Sequence, residues 1–132
     1  MSADASGLEL ELLAPARVLR GEPLRFTLRI LNAGDRPAML YLQGRPPAFD
    51  LLVHDAGGRM VWRRLAGAVI PMALGVRELA PGEAVEFDDA WRLEDAAGLP
   101  MPPGRYRLTG VVPGEPGREL RSSDVSLEIA SA

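Results

Sequence analysis

The most regular feature of the chain is an alternation of apolar and polar residues with a period of two. It runs without a fault through residues 24–30, and shorter runs at 8–12 and 125–129 repeat it. Such alternation is typical of a β-strand with one face on a core and the other in water. Residues 106–112 alternate too, with Gly110 on the apolar side, which predicts a bend or the close approach of another strand.

Four further strands are predicted, and three of them are expected to be more fully buried. Two features need comment. The first of the four, 39–42, is apolar on both faces. In the last, Asp89 falls on the same side as Phe87 and Trp91, so we expect a β-bulge near residues 88–89 that turns the carboxylate outward. The four predicted strands are residues 39–42, 49–53, 60–62 and 84–92.

Turn residues separate these runs at the spacing expected of a β-sandwich with about eight or nine strands. Asp55-Ala56-Gly57-Gly58 predicts a hairpin. Ala80-Pro81-Gly82-Glu83 has Pro and Gly in the order that a type II turn requires. Ser122-Ser123 is interpreted as a kink in the last strand. With 12 prolines and 14 glycines, helix is expected to be limited to one turn at residues 94–97.

Composition favours one globular domain. The 132 residues are 47% apolar and 25% charged, which suits a single core. We expect residues 7–132 to form that domain and residues 1–6 to be a flexible tail. The N-terminus has no signal-peptide pattern, no stretch is long and apolar enough for a membrane span, and cysteine is absent. These features favour a cytoplasmic protein.

The residues offer little for catalysis or for cofactor binding. The net charge is −3 and all 15 basic residues are Arg, so no basic field favours nucleic acid. His54 is the only histidine, too few for zinc, and no nucleophile elbow or phosphate-binding loop occurs. The acidic residues near 83–95 lack EF-hand spacing and are interpreted as a solvated edge. The prediction is a non-enzymatic protein without metal or cofactor.

Two segments depart from the strand pattern and are candidates for partner binding. Residues 65–75 are uncharged and apolar; they are either a crossover between sheets or an extended segment offered to a partner. Residues 99–104 contain three prolines, which make an extended chain stiff; the alternative is a plain connection between strands. The candidate partner-binding residues are Val69, Ile70, Pro71, Met72, Leu74, Pro100, Met101 and Pro102. Trp62 and Trp91 are expected to pack in the core.

The order of motifs resembles the BsuPI-like intracellular proteinase inhibitor family of bacteria. The resemblance covers residues 22–112 and is strongest in the hairpin Asp55-x-x-Gly58-x-x-Val61-Trp62. It also includes Phe26–Asn32, Phe49–Asp55, Leu79–Glu83, Trp91 and Pro103–Tyr106. The resemblance implies an immunoglobulin-like, Greek-key-like antiparallel β-sandwich in the cytoplasm and the inhibition of an intracellular subtilisin-like serine protease.

Three functions remain open from the sequence. The first is an inhibitor that presents an extended loop to the protease, where main-chain hydrogen bonds supply affinity. The second is a non-inhibitory interaction or assembly module of the same fold. The third, a hydrolase built from dispersed carboxylates, has no residue that singles it out.

Overall fold

The computed structural model describes residues 7–43, 48–67, 74–113 and 119–131. The predicted tail, residues 1–6, lies outside these ranges. Within them the chain forms eleven strands and no helix. The strands are β1 (Leu8–Leu13), β2 (Arg17–Leu19), β3 (Leu24–Asn32), β4 (Ala38–Gln43), β5 (Asp50–Asp55), β6 (Met60–Arg63), β7 (Leu74–Leu79), β8 (Ala84–Trp91), β9 (Gly104–Val112), β10 (Leu120–Arg121) and β11 (Val125–Ala130).

The strands form three sheets that enclose one core. One sheet has the order β1-β3-β8, and a larger sheet has the order β2-β11-β9-β5-β6, with β10 paired to β9. The strands β4 and β7 pair with each other as a two-stranded ribbon. All pairs are antiparallel except β2 with β11. The prediction of an all-β sandwich is confirmed, although β2, β7 and β10 were not expected.

The two larger sheets meet where Gly110 of β9 faces Leu28 of β3. A Cβ atom placed on Gly110 would lie only 2.3 Å from Leu28 Cδ2. The expected close approach of another strand at Gly110 is therefore confirmed. The Ser122 hydroxyl accepts a hydrogen bond from the Gly110 amide at 2.7 Å, and residues 122–124 interrupt the strand pattern between β10 and β11, as the predicted kink requires.

The predicted bulge at residues 88–89 is wrong. β8 pairs with β3 in unbroken register, with Asp89 opposite Phe26 and Asp88 opposite Thr27. Asp89 therefore keeps its place on the core-facing side, at the rim, where it forms an ion pair with Arg64 at 2.6 Å. β8 is an edge strand of its sheet among the described residues, and a charged side chain on such an edge is a known protection against further strand pairing.

The expectation that residues 39–42 and 60–62 are more fully buried is also contradicted: Met60 in β6 is 47% exposed, and β4 exposes one of its faces. Leu40 and Leu42 are buried, but Met39 is 43% exposed and Tyr41 is 37% exposed. One face of β4 packs on the core through Leu40 and Leu42, whereas the opposite face is exposed to solvent. The expected core packing of the tryptophans is confirmed, since Trp62 stacks on the buried Trp91 with ring centroids 5.5 Å apart.

The fully buried Asn32 fixes the ribbon to the rest of the domain. Its side-chain amide donates to the Arg36 and Leu79 carbonyls at 2.8 and 2.9 Å, and its side-chain oxygen accepts from the Gly34 amide at 3.0 Å. A buried amide is tolerated only when its donors and acceptors are satisfied. Asn32 therefore ties the end of β3 to the end of β7. Within the described residues, no helix has the length and apolar character needed to cross a membrane.

Candidate protein-binding site

The connection between β8 and β9 carries one of the two predicted binding segments, and its first residues are fixed to the core. The Trp91 indole N–H donates to the Glu94 carbonyl at 3.0 Å. Leu93, which is 2% exposed, adopts a left-handed φ of 58°, a genuine outlier for a bulky residue. The Ala96 amide donates to the Val61 carbonyl of β6 at 3.1 Å. These contacts bind the connection to the edge of the larger sheet.

Asp95 organises the tip of this connection. Its carboxylate accepts hydrogen bonds from the Ala97 and Leu99 amides, both at 2.9 Å. Its own amide donates to the Leu99 carbonyl at 2.8 Å, and its carbonyl accepts from the Gly98 amide at 2.9 Å. An aspartate that satisfies nearby amides in this way replaces a helical turn by a closed loop. The one helical turn considered for residues 94–97 is therefore not formed.

The next residues alternate between surface and core. Pro100 and Pro102 are exposed, whereas Met101 is 5% exposed and belongs to the hydrophobic core. The Met101 amide donates to the Leu93 carbonyl at 2.8 Å, and the Tyr106 hydroxyl donates to the Pro102 carbonyl at 2.6 Å. A tyrosine near the start of a strand that bonds back to the preceding backbone is a feature of immunoglobulin-type sandwiches. A partner role for these three residues stays a prediction; in this conformation the Met101 side chain faces inward.

The pKa of Tyr106 reflects this position. Partial burial and the negative charge of Asp55 raise the pKa of the phenol above its usual 10.0, against the opposing effect of the positive charge of Arg20. The Tyr106 hydroxyl therefore stays protonated and able to donate to Pro102 throughout the physiological pH range.

The other predicted segment lies largely outside the described residues. Val69, Ile70, Pro71 and Met72 are among the residues that the structure does not describe, and for Leu74 only the backbone is described, as the first residue of β7 opposite Gln43. A partner role for these five residues stays a prediction. The chain that leads into this segment is described up to residue 67.

The buried carboxylate of Asp50, which is 2% exposed, fixes the chain that leads into this segment. One carboxylate oxygen accepts from the Leu51 and Leu65 amides at 2.9 and 3.0 Å. The other accepts from Arg63, with its shortest contact at 2.7 Å. A buried charge needs this full set of partners, so the backbone at Leu65 is fixed to the start of β5.

Arg64, the residue before Leu65, also holds this part of the chain in place. Its guanidinium lies 3.7 Å from the ring centroid of Phe49 and donates to the Phe49 carbonyl at 2.7 Å. Burial alone would raise the pKa of the Asp89 carboxyl, but the hydrogen bond from Arg64, the Ala90 amide and the Arg64 charge together lower it below its usual value of 3.8. Asp89 is therefore ionised at neutral pH and keeps Arg64 over the aromatic ring.

The two predicted binding segments are fixed to opposite ends of strand β5 in the larger sheet. Leu65 is bonded to Asp50 at the start of β5, whereas Pro102 is bonded to Tyr106, which pairs with Asp55 at the end of β5. Five residue steps along a strand correspond to about 17 Å. The points at which the two segments are fixed to the domain are therefore far apart and do not form one common surface patch.

A cleft of about 420 Å³ lies beside Pro100. It was not anticipated from the sequence, because it brings together the turn before β3 and the connection after β8, which are about 70 residues apart in the chain. Both of its arginines, Arg20 and Arg92, have no ion pair within the described part of the chain. Its lining residues are Arg20, Gly21, Glu22, Pro23, Arg92, Leu93, Glu94 and Pro100.

The structure brings no catalytic or metal-binding group together in its described ranges. No cluster of three or more His, Cys, Asp or Glu residues suited to a metal ion occurs there. His54 lies in β5 between Arg107 of β9 and Met60 of β6. The Ser122 hydroxyl is occupied by the Gly110 amide and the Ser123 carbonyl.

Two known structures of similar fold contain it as a part of a much larger chain. A β-glucosidase from Listeria innocua in complex with isofagomine matches at 16% identity and a TM-score of 0.53; the match covers 97% of this chain and 16% of that one. The alkylpurine DNA glycosylase AlkC from Pseudomonas fluorescens, bound to DNA containing an abasic site analog, matches at 16% identity and a TM-score of 0.54, over 95% of this chain and 31% of that one. Identity this low shows a shared fold alone.

Sequence comparison gives the decisive result. No match was found among the curated proteins. The family model for the intracellular proteinase inhibitor BsuPI matches residues 13–117, a range that contains the strands from β2 to β9 and both predicted binding segments. The chain therefore belongs to the BsuPI family of intracellular proteinase inhibitors.

Proposed function

We propose that this chain is a cytoplasmic, non-enzymatic inhibitor of an intracellular subtilisin-like serine protease, and that it acts by presenting an extended segment to the enzyme. The observation that carries the proposal is the family match over residues 13–117. Subtilisin-like enzymes bind extended chains as an added strand, which makes a projecting segment on a rigid sandwich a suitable ligand.

The bracing of residues 99–102 supports the rigid presentation of this connection to the enzyme, with contact made through side chains where the main chain is already bonded within the loop. Leu99 is bonded to Asp95, the Met101 amide to Leu93, and the Pro102 carbonyl to Tyr106. A segment that is already ordered loses little conformational entropy on binding, so more of the contact energy appears as affinity. The bonding of Leu65 to Asp50 gives the approach to residues 68–73 a comparable fixed base.

A direct assay tests the proposal. The purified full-length chain is titrated into a subtilisin-like serine protease that cleaves a chromogenic peptide, with a metalloprotease and a cysteine protease as matched controls. We expect saturable inhibition of the serine protease alone, at near-stoichiometric or micromolar concentrations. Undiminished proteolysis at a large micromolar excess of the chain would overturn the proposal.

A second candidate function is a non-inhibitory interaction module. It is favoured by the finding that similar folds make up only 16% and 31% of the larger chains that contain them. The same assay distinguishes the inhibitor from the interaction module when size-exclusion chromatography is also run on each mixture. A stable complex whose protease keeps full activity would favour the interaction module over the inhibitor.

A further inference from the structure

Leu99 is the most exposed large apolar side chain of the described residues, at 61%. Single exposed apolar residues are common and carry no meaning by themselves. The other exposed large apolar residues, of which Val76 at 52% is the next most exposed, all lie within strands. Leu99 alone among them stands on a connection, at the tip of the loop between β8 and β9.

The loop holds Leu99 in one place. Its amide donates to the Asp95 carboxylate at 2.9 Å, and its carbonyl accepts from the Asp95 amide at 2.8 Å. The next residue, Pro100, forms a bridge with Glu94, and the buried Met101 secures the loop to the core. The backbone that carries this exposed leucine has already lost the conformational freedom that binding would otherwise remove from it.

We propose that Leu99 is the anchor residue of this chain, and that its side chain inserts into an apolar pocket on the protease. The inference rests on the proposed function and goes beyond it by naming one residue and the chemistry of the pocket that receives it. A central cluster built around an aromatic or aliphatic anchor that is seated in a pocket is a requirement of a tight interface. The prolines on either side of Met101 restrict the backbone of the loop next to Leu99.

The hydrogen bonds of Leu99 also define how it binds. Strand addition requires a free main-chain N–H and C=O on the inserted chain, and both groups of Leu99 are already bonded to Asp95. Leu99 therefore binds as a side-chain knob, not as a substrate residue. The peptide bond to Pro100 is expected to stay intact during long incubation with the enzyme.

The test compares Leu99→Ala with Leu13→Ala, since Leu13 is also exposed, at 47%, but lies at the end of β1. We expect Leu99→Ala to raise the inhibition constant at least about 30-fold and Leu13→Ala to change it less than about 2-fold. Inhibition by Leu99→Ala equal to that of the wild type would overturn the inference while leaving the inhibitor function intact. Absence of inhibition by the wild type would remove both.

A second pair of variants tests the positioning role of Asp95. Asp95→Ala removes the acceptor for the Leu99 amide, whereas Asp95→Asn keeps an acceptor oxygen. We expect the inhibition constant to rise about 10-fold for Asp95→Ala, with most of the loss rescued in Asp95→Asn. In the Leu99→Ala background, Asp95→Ala should have little further effect, because residues that act through one contact are not additive. Full additivity would show that Asp95 acts independently of Leu99.

Discussion

The contact between Gly110 and Leu28 provides the sharpest test of how the two sheets are packed. A Cβ at position 110 would lie 2.3 Å from Leu28 Cδ2 and 3.5 Å from Leu28 Cγ. The methyl and the leucine would have to separate by more than an ångström, yet Leu28 is 0% exposed and surrounded by core side chains. We therefore expect Gly110→Ala to overpack the core.

Two opposing effects set the change in unfolding free energy that is expected for Gly110→Ala: overpacking of the core and the lower entropy of the unfolded chain. Overpacking a well-filled core costs about 1–3 kcal/mol, and the lower backbone entropy of alanine in the unfolded chain returns about 0.4–1 kcal/mol. The net loss of unfolding free energy for Gly110→Ala is therefore about 1.3 kcal/mol at the middle of both ranges and at most about 2.6 kcal/mol. Leu28→Ala alone leaves a cavity and costs about 2–5 kcal/mol.

The double variant Gly110→Ala/Leu28→Ala isolates the packing contribution. Without the leucine, the methyl group introduced at position 110 meets no clash and fills part of the cavity, so the double variant should be more stable than the two single losses predict, by about 1–3 kcal/mol. Urea unfolding followed by the fluorescence of the stacked Trp62–Trp91 pair measures this, provided that the m value is unchanged.

A matched glycine serves as control. Gly75 also lies in a strand, and a Cβ there would meet only the Leu42 carbonyl oxygen, at an ordinary 3.7 Å. We expect Gly75→Ala to be neutral or slightly stabilising. Additive losses for Gly110→Ala and Leu28→Ala, within about 0.5 kcal/mol, would refute the proposed contact between the sheets.

Two further predictions concern pH. Because the pKa of Asp89 is lowered in the folded chain, its pair with Arg64 stabilises the fold above the unfolded pKa of about 3.9 and loses its effect as the pH falls through the folded value. The stability difference between wild type and Asp89→Asn should be at most about 1 kcal/mol at pH 7 and vanish as the carboxyl becomes protonated in acid; a difference independent of pH would contradict this. Because the pKa of Tyr106 is raised, its contribution is complete below the unfolded pKa of about 10 and is lost as the pH rises through the folded value. Tyr106→Phe should cost about 1 kcal/mol at neutral pH, and urea titrations should show the difference narrowing above a pH of about 10.

Much of the fold could be predicted from the sequence, because burial of one strand face leaves a periodic trace. The alternation in β3 and the glycine at 110 followed directly from this rule. The rule failed at Asp89, where a charge on the core-facing side suggested a bulge. An ion pair with Arg64, 25 residues away in the chain, makes the regular register tolerable there, and no local pattern could reveal that partner. The short strands β2 and β10 are three and two residues long, too short to show a period.

The candidate site was harder to predict, because two-residue alternation has no meaning outside a strand. Leu99 and Met101 are both apolar and both precede a proline, so composition gives no reason to separate them, yet one is 61% exposed and the other 5%. The direction of each side chain is set by the left-handed backbone of Leu93 and by the carboxylate of Asp95. The role of Asp95 does have a signal in the sequence, because an aspartate followed by small residues and a glycine is typical of a side-chain-capped turn. Such a turn at residues 95–99 ends at the Leu99 amide, from which the Asp95 carboxylate accepts a hydrogen bond, and so places this leucine at the tip of the connection.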